Sequence, residues 1–286
     1  MIQYIYMDST PHQSMNQKVN WMRAGVIMGL SIAMVGSAFI FAFYGMFHND
    51  FSYLVSLLVR RGIFESLAGI VLLAVIAHRT SRSDIRELLT GMKGFIILST
   101  GLLCLGVVCG LLLQDLLGGF TASLFGSIEQ EAEKIREIPR YLQVLVIFGN
   151  NTRAATLSGV IASFPLLGIF IPFVTMLLNG CIIGLAPEIL QMTSSQVFIA
   201  ILPHGILEIP ALILACAVGF KFAFASLKAC IGYFFPNPGK TGLETFLDEI
   251  RPGWKSLKLF TLIILLLIGA AFIEVFITPG IMSMLL

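Results

Sequence analysis

Charge is what this 286-residue chain has least of: Asp, Glu, Lys and Arg together make up 12% of it. Soluble domains carry about a quarter, so an ordinary water-soluble fold is excluded. Basic blocks are absent as well. The net charge of +2 says nothing about nucleic acid, but the 18 Lys and Arg are scattered between apolar runs, so no nucleic-acid partner is expected. Cysteine is sparse and unpatterned. Cys104, Cys109, Cys181, Cys216 and Cys230 all fall in apolar segments, with no CxxC and no Cys/His pair at zinc spacing. They read as small packing residues. No Gly-rich phosphate loop, GxSxG elbow or convincing Ser–Lys dyad occurs. The first twenty or so residues are mixed and polar, so a cleavable signal peptide is not expected.

What is present is apolar. Hydrophobic residues make up 57% of the chain, and the mean hydropathy is +0.92. Seven apolar runs are long enough to cross a bilayer at about 20 residues per span: 24–47, 62–78, 94–117, 141–164, 166–186, 196–221 and 257–278. The expected fold is therefore all-α, a polytopic transmembrane helical bundle forming one membrane domain over residues 1–286. The run at 62–78 is the weakest, because Arg60, Arg61 and Glu65 crowd its start. If it only lies in the interface, six spans remain. With the N-terminus cytoplasmic, twelve Lys and Arg fall inside and five outside, as the positive-inside rule requires. The expectation is a multi-pass cell-membrane protein with its N-terminus cytoplasmic and its C-terminus external.

Three segments outside the spans read as amphipathic helices. Residues 83–93 place Ile85, Leu88, Leu89 and Met92 on one face behind Ser83 as N-cap. Residues 241–251, within a cytoplasmic amphipathic segment at 236–256, open on a Thr241/Glu244 capping box and align Leu243, Phe246, Leu247 and Ile250. The third, 125–138, belongs to an external acidic segment at 118–140 that carries Glu129, Glu131, Glu133 and Glu137. Each would rest on the bilayer or the bundle, or dock a partner. Small residues four apart (Gly25/Gly29, Gly106/Gly110, Gly180/Gly184, Ala215/Gly219) allow helices to approach closely.

Six polar side chains stand inside otherwise lipid-soluble runs: Asn150, Asn151 and Arg153, then Asn179, then His204 and Glu208. An ionisable group at mid-bilayer costs at least about 2.5 kcal/mol, so it persists only when paired or facing water. Counting about 1.5 Å per residue from the span ends, all six fall in the outer half of the bilayer or near its middle. His204 and Glu208, four apart, share a helix face. Arg153 and Glu208 are the expected ion pair, with His204, Asn151 and Asn179 completing its hydrogen bonds. Pro172, Pro203 and Pro210 free backbone carbonyls nearby. Such a constellation either locks a bundle or forms a transport site. His204-x-x-x-Glu208 is only superficially like a metalloprotease helix, and the sequence supplies two zinc ligands where three are needed. No catalytic residue, metal or cofactor is expected.

The residues Phe148-Gly-Asn-Asn151, Asn179-Gly180-x-x-x-Gly184 and Pro203-His204-Gly205-x-x-Glu208, followed by Ala211 and a helix ending near Gly219, resemble the stage II sporulation protein M family of integral membrane proteins. The likeness covers roughly residues 135–235; residues 1–120 would add N-terminal spans. The resemblance implies a multi-helix membrane protein without established enzymatic chemistry. In endospore formers such a protein anchors cell-wall hydrolases at the septal membrane during engulfment. The expected function is a non-enzymatic membrane scaffold in contact with lipid and other envelope proteins, with Asn151, Arg153, Asn179, His204 and Glu208 holding the bundle. The alternative is a transporter or channel for an ion or small solute through the same residues.

Overall fold

The computed structural model describes residues 22–37, 39–40, 51–112, 135, 137–165, 167–189 and 192–285. Among them every regular element is helical. In chain order they are α1 (Met22–Ser37), α2 (Phe51–Ala77), α3 (Arg82–Gly91), α4 (Lys93–Leu112), α5 (Arg140–Gly159), α6 (Leu167–Ile189), α7 (Ser194–Phe234), α8 (Gly242–Ser256), α9 (Phe260–Phe276) and α10 (Thr278–Leu285).

Among the described residues the expected seven spans are not confirmed. Four described helical stretches are long and apolar enough to cross a membrane: Lys93–Leu112, Gly168–Glu188, Ser194–Phe234 and Gly242–Met284. α2 and α5 are long enough, at 27 and 20 residues, but Arg60, Arg61, Glu65, Arg140 and Arg153 make them too polar alone. They pack along one another. Gly62 meets Val146, Gly69 meets Thr152, and Gly149 meets the Gly62 carbonyl, so backbones touch where these glycines remove side chains. Each helix thereby shields the polar groups of the other from lipid. α5 also stops earlier than the apolar run. Phe164 turns extended ahead of Pro165, which disfavours helix in the residue before it.

α7 is the axis of the fold. Ala211, Ala215, Cys216, Ala217, Val218, Phe220, Phe222 and Ala223 are all buried, and a helix apolar on every side belongs inside. One core joins Leu72, Phe148, Val218, Phe222, Phe260, Ile263 and Ile264 across α2, α5, α7 and α9. A second joins Leu102, Leu103, Met176, Cys216 and Phe220 across α4, α6 and α7. Two of the small-residue motifs find each other here. Gly106 and Gly110 of α4 oppose Gly180 and Gly184 of α6, glycine Cα against glycine backbone. Ala215 and Gly219 face the end of α5, where a side chain on Gly219 would strike the Ser158 carbonyl. Gly25 and Gly29 have open space around them, so that motif makes no crossing within the described chain. Gly205 makes none either: added bulk there would meet only Ile201 and Ile209 of its own helix.

At 41 residues, α7 is about 60 Å long, twice the hydrocarbon thickness of about 30 Å. Its last third pairs with α8 as a helical hairpin. The Thr241/Glu244 capping box forms as the sequence requires, and the helix runs on through Pro252 to Ser256. Its buried stripe differs from the expected one. Thr245, Gly253 and Ser256 are buried, Gly232 packs on Thr245, and Gly253 and Trp254 pack on Phe222. Leu243 is 60% exposed, and Phe246, Leu247 and Ile250 are half-buried. Close approach to α7 selects the small-residue face over the large apolar one. In α3 the expected face is right: Leu88 and Met92 are buried, and Ile85 and Leu89 pack on the main core. Its N-cap is Ser81, closing a capping box with Asp84, and Ser83 lies within the first turn. The segment 125–138 falls almost wholly outside the described residues.

Two ion pairs tie α3 to the α8–α9 corner: Lys255 Nζ to Glu87 Oε1 at 2.7 Å and Lys258 Nζ to Asp84 Oδ2 at 2.9 Å. The Lys258 ammonium, then the Ser81 backbone amide and hydroxyl, hold the Asp84 carboxyl well below the usual carboxylate range. Because folding lowers this pKa, the stabilisation is fully present above the unfolded value of about 3.9 and fades as pH falls below it. Protection factors of α3 amides, which allow for the intrinsic pH dependence of exchange, should therefore fall below about pH 4 in the parent and change less in Asp84→Asn. Identical pH profiles would refute the tie.

Candidate functional site

The six expected polar residues do not form one network. Folding sorts them into two clusters and leaves two side chains out. The first cluster centres on Glu65 of α2, whose side chain is fully buried. Its Oε1 lies 3.2 Å from Arg153 Nη1 of α5, 3.7 Å from Arg61 Nε one turn back, and 2.7 Å from the Ser37 hydroxyl of α1. Arg153 Nη2 also donates to the Asn150 side-chain oxygen one turn earlier. Three helices are thus joined through one carboxylate. Arg153 pairs with Glu65 and not with Glu208, which corrects the expected ion pair. Equal depth left the direction of each side chain around its helix undetermined, and α5 turns Arg153 toward α2.

The second cluster contains His204 and Glu208 of α7 and Glu274 of α9. One ligand atom from each lies within 4.8 Å of the others, and all three residues are half-buried. The His204 Nδ1 lies 3.4 Å from the Thr278 hydroxyl, which itself donates to the Ile273 carbonyl. Among the described residues no Lys or Arg forms an ion pair with Glu208 or Glu274, so two carboxylates face a single imidazole. Glu274 is the residue that sequence reasoning passes over. The available signal is plain in retrospect: it is the sole charge in the apolar helix Phe260–Phe276, the criterion that singles out Glu208. The same holds for Glu65, which reads as crowding at a span start. With Glu274 in place, three groups able to ligate a metal stand together where the sequence offered two.

Asn179 belongs to neither cluster, because its side-chain amide donates to the Thr175 carbonyl of its own helix at 2.8 Å. That turn is linked to α5 through the Thr175 and Ser158 hydroxyls, 3.2 Å apart. Asn151 is half-buried and makes no side-chain hydrogen bond among the described residues. A groove of about 380 Å³ between α4, α6 and α7 is lined by apolar residues such as Leu111, Ile183, Phe198 and Ile206 together with Gly205. Neither Arg153, Glu208 nor Glu274 lines it. All five cysteines are free, and Cys216 is buried.

Over 117 residues the chain is 32% identical to an uncharacterized protein of Methanocaldococcus jannaschii, an alignment covering 40% of this chain and 60% of the archaeal protein. The match therefore spans less than two thirds of that relative's length. No solved structure matches significantly. The family model described as Stage II sporulation protein M matches residues 99–279, from within α4 to just past Glu274 and Thr278, a wider stretch than the motifs alone mark. With that match over more than half of its length and its long apolar helices, the chain is a membrane protein of the stage II sporulation protein M family.

Proposed function

We propose that this protein is a non-enzymatic membrane scaffold that presents the α7–α8 hairpin to partner proteins. The observation that carries the reading is the length of α7. About half of its roughly 60 Å exceeds the hydrocarbon core. The excess is packed against α8, and α8 and the turn that follows it are tied to α3 by the two Lys–carboxylate pairs. A helix held this way is a rigid post. Its tip carries Phe234 and Phe235, 75% and 78% exposed, beside exposed Tyr233 and Leu243. Exposed aromatic side chains clustered on a rigid element suit protein contact. The charge bias expected from the sequence supports a cytoplasmic position for this tip, with the opposite end of α7 and α10 outside. The Glu65 cluster supports the same reading, since it joins α1, α2 and α5 through one buried carboxylate. In an endospore-forming host, partners met on the outer face of this anchor, away from the cytoplasmic tip, would include cell-wall hydrolases.

The competing reading is transport, favoured by the second cluster and by Pro203 and Pro210 on either side of His204 and Glu208. Purified full-length protein in liposomes decides between them. The scaffold should leave proton, sodium, potassium and magnesium flux at the level of empty vesicles. A flux that Glu208→Gln abolishes would establish transport instead. A photo-crosslinking residue at position 235 in intact cells should give discrete protein adducts. Adducts to lipid alone would remove the platform.

A further inference from the structure

We propose that His204, Glu208 and Glu274 form a transition-metal dication site between α7 and α9, with zinc the simplest occupant. The site does not rest on the scaffold reading. Three observations converge on it. First, the ligand atoms come from two helices and lie within 4.8 Å of one another. Zinc binds imidazole nitrogen and carboxylate oxygen at about 2.0–2.2 Å, so ligand atoms around one ion stand about 3–4.4 Å apart. Small side-chain rotations close the remaining gap.

Second, the charge is unbalanced. Glu208 and Glu274 lie in apolar stretches of α7 and α9, and their ion-pair partners among the described residues are none. The Arg groups nearest in sequence logic, Arg61 and Arg153, are committed to Glu65. Two adjacent carboxylates in low dielectric repel one another, and a dication removes that repulsion. The Glu65 cluster shows what this chain does when it neutralises a buried carboxylate internally, and among the described residues no such cation is paired with Glu208 or Glu274.

Third, the histidine has an outer partner. A ligating imidazole ordinarily hydrogen-bonds through its second nitrogen, which sets its tautomer and orientation. Thr278 Oγ1 stands 3.4 Å from Nδ1, held by the Ile273 carbonyl. With Nδ1 protonated toward Thr278, the Nε2 lone pair is free for a metal. His204 is ten residues from the Ser194 end of α7, about 15 Å by helix rise. Three protein ligands would leave a fourth position for water or a partner's side chain.

The test uses full-length protein purified in detergent, stripped with chelator, dialysed, and offered zinc or cobalt(II). About one metal per chain should be retained by elemental analysis, and cobalt should give the visible absorption of a low-symmetry site. Saturating zinc should raise Tm, as a ligand that binds only the folded state must. Glu274→Gln, Glu208→Gln and His204→Gln are each expected to weaken zinc at least tenfold and to abolish the Tm increase. Glu188→Gln, an exposed carboxylate outside the cluster, should behave as the parent. Using three variants means that poor folding of one leaves two to decide. Parent protein that binds neither metal overturns the site. So does binding that persists unchanged in the cluster variants that fold. Metal binding without ion flux keeps the site and the scaffold together, whereas metal flux keeps the site and removes the scaffold.

Discussion

Glu65→Gln should lower the unfolding free energy by about 3–5 kcal/mol, the typical cost of stranding the partner of a buried charge. The carboxylate is fully buried and faces two guanidinium groups and a hydroxyl from three helices. The substitution keeps side-chain volume and removes only the charge. Arg153→Met should cost less, because Arg61 remains beside Glu65 when Arg153 is gone. The double variant should recover part of the loss, with a coupling energy of about 0.5–3 kcal/mol as for contacting residues. The contrasting cycle is equally informative. Arg153→Met and Glu208→Gln share no partner in this fold and should add. Coupling of Arg153 to Glu208, with additivity between Arg153 and Glu65, would mean that the bundle is assembled differently. Thermal or denaturant unfolding in one detergent reads all of these variants on a common scale.

The second large effect concerns the crossing of α4 and α6. Gly180→Ala places a Cβ against the Leu103 carbonyl oxygen, 2.9 Å from Gly106 Cα and 2.9 Å from Val107 N. These are backbone atoms, so no side-chain rotation relieves the contact. Overpacking typically costs about 1–3 kcal/mol. Gly180→Leu should exceed that range, because the helices must separate along the whole Gly106/Gly110–Gly180/Gly184 seam. Gly25→Ala is the control. Among the described residues no heavy atom beyond the local backbone of its own helix lies within 4 Å of the added Cβ, and alanine favours helix over glycine by up to about 1 kcal/mol. That change should be neutral or slightly stabilising. A Gly180→Leu protein melting at the parent temperature would refute the crossing, and with it the tight contact in which both motifs take part.

The success of Gly106/Gly110 and Gly180/Gly184 and the failure of Gly25/Gly29 and Gly205 have one cause. A small residue permits close approach but does not supply the neighbour. Only the packed bundle says which permission is used. The α8 face follows the same logic. Its apolar stripe is real, yet Thr245, Gly253 and Ser256 are buried because proximity to α7 requires slender side chains.

Local order was readable from the sequence alone. Helix starts at Thr241 and the general amphipathic face of α3 depend on contacts within a turn, so residues three or four apart specify them. Hydropathy likewise determines that the chain is helical and membrane-embedded, because in lipid the backbone must satisfy itself. The rare charges in apolar runs mark where the special contacts form. Which charges meet was decided by tertiary structure. Glu65 and Arg153 are 88 positions apart, and Glu274 reaches His204 and Glu208 only because α9 lies against α7. Depth along a helix follows from residue count, but the direction of a side chain around it depends on what each neighbouring helix packs against. Sequence supplies the first coordinate, and the packing of α2 on α5 and of α9 on α7 supplies the second.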